Sequence, residues 1–379
     1  MNGLMKKEIK EVVGVPAGIL KSAENLFDNI VTVLEDTNDE DFEFKGTFTD
    51  NLSLPITVTI NDLTITSVNV AVTFNVGDYS KLEIAGAGYS SELALDYKKL
   101  KLITIFEPSE IGLTMDFLIP NTGEYVFDDI ITYMMKNRTL ITSTLAHELK
   151  HAYDSYKQPN RKVIDQVDYN VNISSKGLAI PAFRRFNRML YLATFIEQLV
   201  KPTELASRLK AENVSQKEFL GFLLNDRTYK EFIQLKKYSI NTLVSELMEH
   251  KDELKSLDRF KGKTTEEIIN DLINLAYTQF TNDKIETLEK YILRDNDYLL
   301  KSLGIASVNM DYFLKQVDKY QKYSKNPKDF FNNEIKFLNF VGDKMIKKLG
   351  KLYSIANEDK SQQANIIKKI YNKVNHGKG

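Results

Sequence analysis

The chain has 379 residues, of which 42% are hydrophobic and 27% charged, and 51 basic against 52 acidic side chains leave a net charge of −1. This is the balance of a folded globular protein long enough for two or three domains, and it carries no overall attraction to nucleic acid or to an anionic membrane. No cysteine occurs, which excludes disulfides, thiolate nucleophiles, iron–sulfur clusters and cysteine-ligated zinc, so any metal must be held by His, Asp or Glu.

The opening stretch, residues 1–27, has no uninterrupted apolar core followed by a small-residue cleavage site, so no standard secretion signal is expected. No charge-poor run of 18 apolar residues occurs, so no membrane span is expected. Lysine outnumbers arginine 42 to 9 and tryptophan is absent, the usage of an AT-rich coding sequence, which fits bacteria and phages alike. The expected location is the cytoplasm, or a virion if the protein is phage-encoded.

Residues 3–35 read as one or two helices broken near Gly14-Val15-Pro16, with Leu26, Ile30 and Leu34 at helical spacing. The acidic run 35–41 lacks the glycine that a calcium loop requires at its sixth position and reads as a linker; with it, residues 1–41 form an N-terminal segment. From 42 to 122 the period changes to two. The runs 55–60, 64–76, 81–86, 92–97, 101–106 and 111–119 are rich in Val, Ile, Thr and Phe and are separated by turn residues, predicting a sheet of five or six mostly antiparallel strands.

Helical spacing returns at 127–137 and at 139–157, the second ended by Gln158-Pro159 and capped by Asn137 or Thr139. From 180 onward helices are expected almost throughout. Residues 341–379 carry nine lysines against three acidic residues and read as a basic helical tail. The predicted class is α+β: a mostly antiparallel sheet and the helices after it in a domain over 42–212, then an all-α C-terminal region over 213–379.

One motif carries chemistry. His147-Glu148-Leu149-Lys150-His151 is an H-E-x-x-H pattern, which a chain with only four histidines contains by chance roughly 0.3% of the time. Four residues of helix advance about 400°, so the two imidazoles stand about 40° apart and about 6 Å along the axis, where both can reach one zinc ion. Glu148, about 100° round from His147, can touch a water on that ion without being a ligand itself, and so can serve as general base. Leu145, Ala146, Leu149 and Ala152 mark the helix as half-buried rather than a solvated face.

These residues, preceded by a sheet, resemble the zincin metallopeptidases. The resemblance implies that His147 and His151 ligate zinc, that Glu148 is the general base, and that an edge strand holds an extended peptide substrate by main-chain pairing. The metzincin continuation, with its glycine and third histidine, is absent from Ala152-Tyr153-Asp154-Ser155-Tyr156-Lys157. The glutamate-type branch, the gluzincins, instead takes a third ligand from a Glu on a later helix. The best match is Pro202-Thr203-Glu204-Leu205-Ala206-Ser207-Arg208, with Pro202 opening a helix, Glu204 in its first turn and Ser207 small enough for close helix approach. Glu197 is the alternative ligand. Asp154 reads as a partner of the ligands or one end of a helix salt bridge, with ligation a further alternative; Arg208 reads as a group that orients Glu204 or as a surface residue, and His250 and His376 as solvated. Tyr153 and Tyr191 lie near the ligands in sequence.

The expected function is therefore a zinc-dependent metallopeptidase, an endopeptidase rather than an exopeptidase, acting on a protein or peptide. The alternative is a non-enzymatic structural or assembly protein, such as a phage virion component, on a zincin-like fold, with a partner engaged through the helical C-terminal region. An intact Glu148 favours the enzyme, because a metal staple needs the histidines and not the glutamate between them. Lys261-Gly262-Lys263-Thr264 fails as a phosphate loop because position 257 is Leu; Thr264 with Glu267 reads as a helix capping box.

Overall fold

The computed structural model describes residues 16, 18–36, 47–54, 57–60, 62–89, 91–96, 101–105, 111–123, 125–158, 160–174, 180–215, 217–294 and 306–350. The helical stretch expected before residue 16, most of the acidic run and the tail beyond 350 lie outside them. The architecture is α+β, with small sheets and a helical C-terminal region.

Helix α1 (Ile19–Asp36) places Ile19, Ala23, Leu26, Phe27, Ile30 and Leu34 in one fully buried stripe, the amphipathic pattern of a helix laid on a core. The strands fall into three sheets rather than one. Strands β1 (Thr47–Leu54), β4 (Val68–Gly77), β8 (Ile111–Pro120) and β5 (Glu83–Tyr89) form a four-stranded sheet in that spatial order. Its β4–β8 pair is parallel and the other two pairs antiparallel. The hairpin β2 (Val58–Ile60) and β3 (Leu63–Ile65) stands apart, as do β6 (Glu92–Asp96), β7 (Lys101–Ile105) and β9 (Asn160–Lys162). The single strand expected over 64–76 is divided at Thr66-Ser67.

In β4 and β8 the period of two is visible as burial. Val68, Val70, Val72 and Phe74, and Ile111, Leu113, Met115, Phe117 and Ile119, face the core, with Phe74 stacked on Phe117 at 5.7 Å between ring centres.

The helices that follow are α2 (Phe127–Lys136), α3 (Arg138–Lys157), α4 (Val163–Ser174), α5 (Pro181–Leu192) and α6 (Phe195–Ala211). Beyond them run α7 (Phe219–Asn225), α8 (Arg227–Lys237), α9 (Ile240–Glu249), α10 (Lys251–Ser256), α11 (Thr265–Glu289), α12 (Ala306–Tyr323) and α13 (Pro327–Gly350). The expected capping box is present at the start of α11: Thr264 Oγ1 accepts from the Glu267 backbone N–H, and the Glu267 carboxylate accepts from that of Thr264. One contiguous buried cluster runs from Ile19 to Leu349 and includes the sheet, α3, α5 and α13.

Helices α8 and α13 approach unusually closely because residue 342 is glycine. A Cβ there would stand 2.4 Å from the Lys236 backbone nitrogen and 2.8 Å from the Phe232 carbonyl oxygen. Neither is a flexible side-chain end, so the helices would have to separate. Gly342→Ala is expected to destabilise by about 1–3 kcal/mol despite alanine's better helix propensity, read as a lowered urea midpoint at unchanged slope. An unchanged midpoint would mean that this contact is not held tightly.

Candidate metal centre

Helix α3 is sandwiched between α1 and α6, and β5, the edge of the four-stranded sheet, packs against it. That surrounding explains why a segment rich in His, Glu and Lys is buried: His147, Glu148, Lys150 and His151 are each at most 6% exposed. Polar side chains in such a place need partners.

The imidazoles of His147 and His151 face one another, with their Nε2 atoms 3.0 Å apart. Glu197, on the first turn of α6 and fully buried, reaches the same point: its Oε1 is 3.5 Å from His151 Nε2 and its Oε2 is 3.6 Å from His147 Nε2. Oε1 also accepts a 2.7 Å hydrogen bond from the Tyr191 hydroxyl. Among the described residues Oε2 has no hydrogen-bond donor. A carboxylate oxygen buried without a donor is costly, and a cation among these three side chains would satisfy it. His147, His151 and Glu197 thus form a buried group that could hold a metal ion. Glu148 Oε1 lies 3.9 Å from His147 Nε2, beside that point.

The placement of the two glutamates corrects the expectation drawn from the sequence. Pro202 does not open a helix; it lies inside α6, which begins at Phe195 behind the N-cap Thr194. Glu197 therefore occupies the first turn, and its backbone N–H is accepted by the Thr194 hydroxyl. Glu204 stands two turns further along, on the other side of His147, with Oε1 2.8 Å from Nδ1. The approach is too oblique for a well-aligned hydrogen bond, and it points away from the shared Nε2 position. Glu204 is thus placed to orient His147 rather than to join the donor set.

A network fixes Glu204 in turn. Lys201 Nζ donates to its Oε1 at 2.6 Å and Thr228 Oγ1 to its Oε2 at 3.0 Å. Arg208 comes within 3.7 Å of Oε2, but its main bonds go elsewhere, to Asp226 at 2.8 and 3.1 Å and to Thr228 at 2.7 Å. Asp226 caps α8, so the C-terminal helices help to hold a residue that touches His147. Asp154 pairs with Lys150, one turn before it on α3, as one end of a helix salt bridge. His250 lies at the junction of α9 and α10 beside Glu253, away from the centre.

Charge settles unevenly among these groups. Burial opposes ionisation of His147, but Glu197, Glu148 and Glu204 outweigh it and push the imidazole up to about 10. Burial would likewise raise Glu197 and Glu204; the positive charge of His147, joined by His151 for Glu197 and preceded by Lys201 for Glu204, holds both well below the usual carboxylate range. Burial dominates for Glu148, whose carboxyl is raised.

The sequence reading did not assign a site role to Tyr169, Lys201, Thr228 or Asp226. Tyr169, on α4, packs its ring 6.4 Å from that of His151 and 5.5 Å from that of Tyr191. Burial, then Glu197 and Tyr169, raise the Tyr191 hydroxyl far above its ordinary value, so Tyr191 remains a donor. No family model matches this chain, and neither a curated protein nor a solved structure does.

Proposed function

We propose that the protein is a zinc-dependent metallopeptidase, with zinc held by His147, His151 and Glu197 and with Glu148 as general base. The observation that carries this reading is the spacing of the donors. Nitrogen and oxygen atoms each about 2.0–2.1 Å from one tetrahedral ion stand roughly 3.3–3.4 Å from one another. Here the two Nε2 atoms are 3.0 Å apart, and the Glu197 carboxylate reaches them through its two oxygens, Oε1 at 3.5 Å from His151 Nε2 and Oε2 at 3.6 Å from His147 Nε2. Two imidazoles and one carboxylate, with a fourth position left open, are also the donor set that suits catalytic zinc.

What the ion supplies when bound is a Lewis acid for the substrate carbonyl and a more acidic water. The remaining work belongs to the chain. Glu148 takes the proton from the attacking water and passes it to the departing amine. Tyr191 holds one oxygen of Glu197, and Glu204 holds His147 from its Nδ1 side, so that both ligands keep their aim. Strand β5 supports a peptide substrate: no described strand pairs with its outer side, and a Cβ at Gly86 would meet nothing within 4 Å. An extended chain can approach such an edge and pair with it.

The test is cleavage of a mixed peptide library by purified protein carrying about one zinc per chain. Cleavage is expected to vanish on treatment with 1,10-phenanthroline and to return on adding zinc. Zinc-loaded protein that cleaves no peptide would overturn the peptidase reading.

A further inference from the structure

Pro202 has no N–H, so the carbonyl of Gln198, one turn before it in α6, loses its helical donor. Lys348 of α13 fills the gap, donating from Nζ to that carbonyl oxygen at 3.2 Å. One turn earlier on α13, Lys344 donates to the side-chain oxygen of the same Gln198 at 3.0 Å. These acceptors are neutral and leave both charges in place. Lys150, from α3, is close enough to act on Lys348 but is itself paired with Asp154.

The carboxylates nearby do not balance these charges. Asp154 is engaged by Lys150, and Asp343, beside Lys344 in sequence, is engaged by Lys236 and Lys347. Among the described residues no carboxylate pairs with Lys344 or Lys348. Burial, then Lys150 and Lys344, push the Lys348 ammonium down to about 8 against the pull of Asp154. Lys348 is half-buried and Lys344 exposed, so the unpaired positive charge at this end of the helix is within reach of an anion arriving from solvent.

Lys344 and Gln198 also line a cleft of about 450 Å³ bounded by α4, α5, α6, α11, α12 and α13, within the size range of small-molecule sites. Its lining includes Phe195 and Phe340, which are 46% and 65% exposed, an unusual use of large aromatic rings on a surface. Asp168 pairs with Lys284, and burial raises Asp165 and pushes Glu334 up to about 7.

We propose that this cleft binds a small amphiphilic anion, with its acidic head on Lys344, backed by Lys348, and its apolar or aromatic body against Phe195 and Phe340. The site is separate from the metal centre and does not depend on the peptidase reading, although Gln198 adjoins Glu197 on the same helix.

The experiment is a fluorescence titration of the metal-free full-length protein with 8-anilinonaphthalene-1-sulfonate. Saturable binding near one per folded chain is expected. It should weaken about tenfold or more in Lys344→Gln, where one close charge pair is lost, and similarly in Phe340→Ser, while Lys344→Arg stays within about threefold. Octanoate should displace the dye, and inorganic phosphate at the same concentration should not, because it has no apolar body. A cooperative melt for each variant establishes that the dye reports a site rather than an unfolded chain, and Phe340→Ser, at an exposed position, keeps the test informative if Lys344→Gln does not fold. Absence of saturable binding in the wild type, binding unchanged in both Lys344→Gln and Phe340→Ser, or displacement by phosphate as effective as by octanoate would each overturn the proposal.

Discussion

Glu148→Gln is expected to keep the metal and lose peptide hydrolysis by about 10²–10⁴-fold, the range over which a positioned general base contributes. The argument is one of shape and proton affinity. Glu148 is buried beside the shared Nε2 position, 3.9 Å from His147 Nε2 and on the same turn of α3. Glutamine fills the same volume and can still accept a hydrogen bond from water, but it cannot carry a proton away. Burial already raises the Glu148 carboxyl, which favours a base that must pick up a proton and later release it. The measurement is kcat on a cleavable peptide together with zinc content by elemental mass spectrometry. Full activity at full zinc occupancy would mean that another group activates the water. If neither protein cleaves peptides while chelation lowers the melting temperature of both equally, the centre is a structural staple, and the assembly reading displaces the enzyme.

The residues that were legible in the sequence are those whose spacing coincides with one periodic element. His147 and His151 at i and i+4 needed only the helix to be recognised, and the apolar neighbours of the motif marked that helix as half-buried; that its polar residues are buried too follows from the elements packed on both sides of α3. Strands β4 and β8 were legible because their inward residues alternate without a break. Strand β1 was not, because its sequence, Thr-Phe-Thr-Asp-Asn-Leu-Ser-Leu, has little apolar alternation; pairing with β4 along its full length holds it in place. The division into three sheets depends on long-range pairing, such as β9 with β7, which no local pattern encodes.

The third member of the candidate metal centre was obscured by a single residue. Proline is favoured at the first turn of a helix, so Pro202 looked like a beginning, and Glu204 inherited the first-turn role. A competing signal stood eight residues earlier. Thr194 followed at three residues by Glu197 is a capping pattern, and Glu197, Lys201, Glu204 and Arg208 recur at helical spacing along one face of the same helix. Proline is tolerated inside α6 because the carbonyl it orphans is met by Lys348 from a helix about 150 residues away. That compensation is tertiary, and only the folded chain reveals it.

Metal binding by Glu197→Gln and Glu204→Gln should separate the two roles. Glu197 and Glu204 are seven residues apart, about 20° short of two full turns and about 10 Å along the axis, so both face α3. The translation of α6 along α3 then decides which carboxylate meets the Nε2 atoms and which meets His147 Nδ1. With Glu197 at the Nε2 side, its amide variant removes one charged donor of a site whose total affinity is of the order of 10–16 kcal/mol. A quarter of that is about 2.5–4 kcal/mol, or roughly 10²–10³-fold in zinc affinity. Glu204→Gln still offers an oxygen to His147 and leaves the donor set unchanged, so a loss nearer tenfold is expected, at the lower end for an orienting group. Cobalt substitution gives a second readout that affinity alone cannot supply: the visible absorption should change in shape for Glu197→Gln and persist for Glu204→Gln. The reverse pattern would require α6 to sit about two turns further along α3. That shift would carry Glu197 away from Tyr191 and Glu204 away from Thr228, breaking the bonds that now hold each carboxylate in its place.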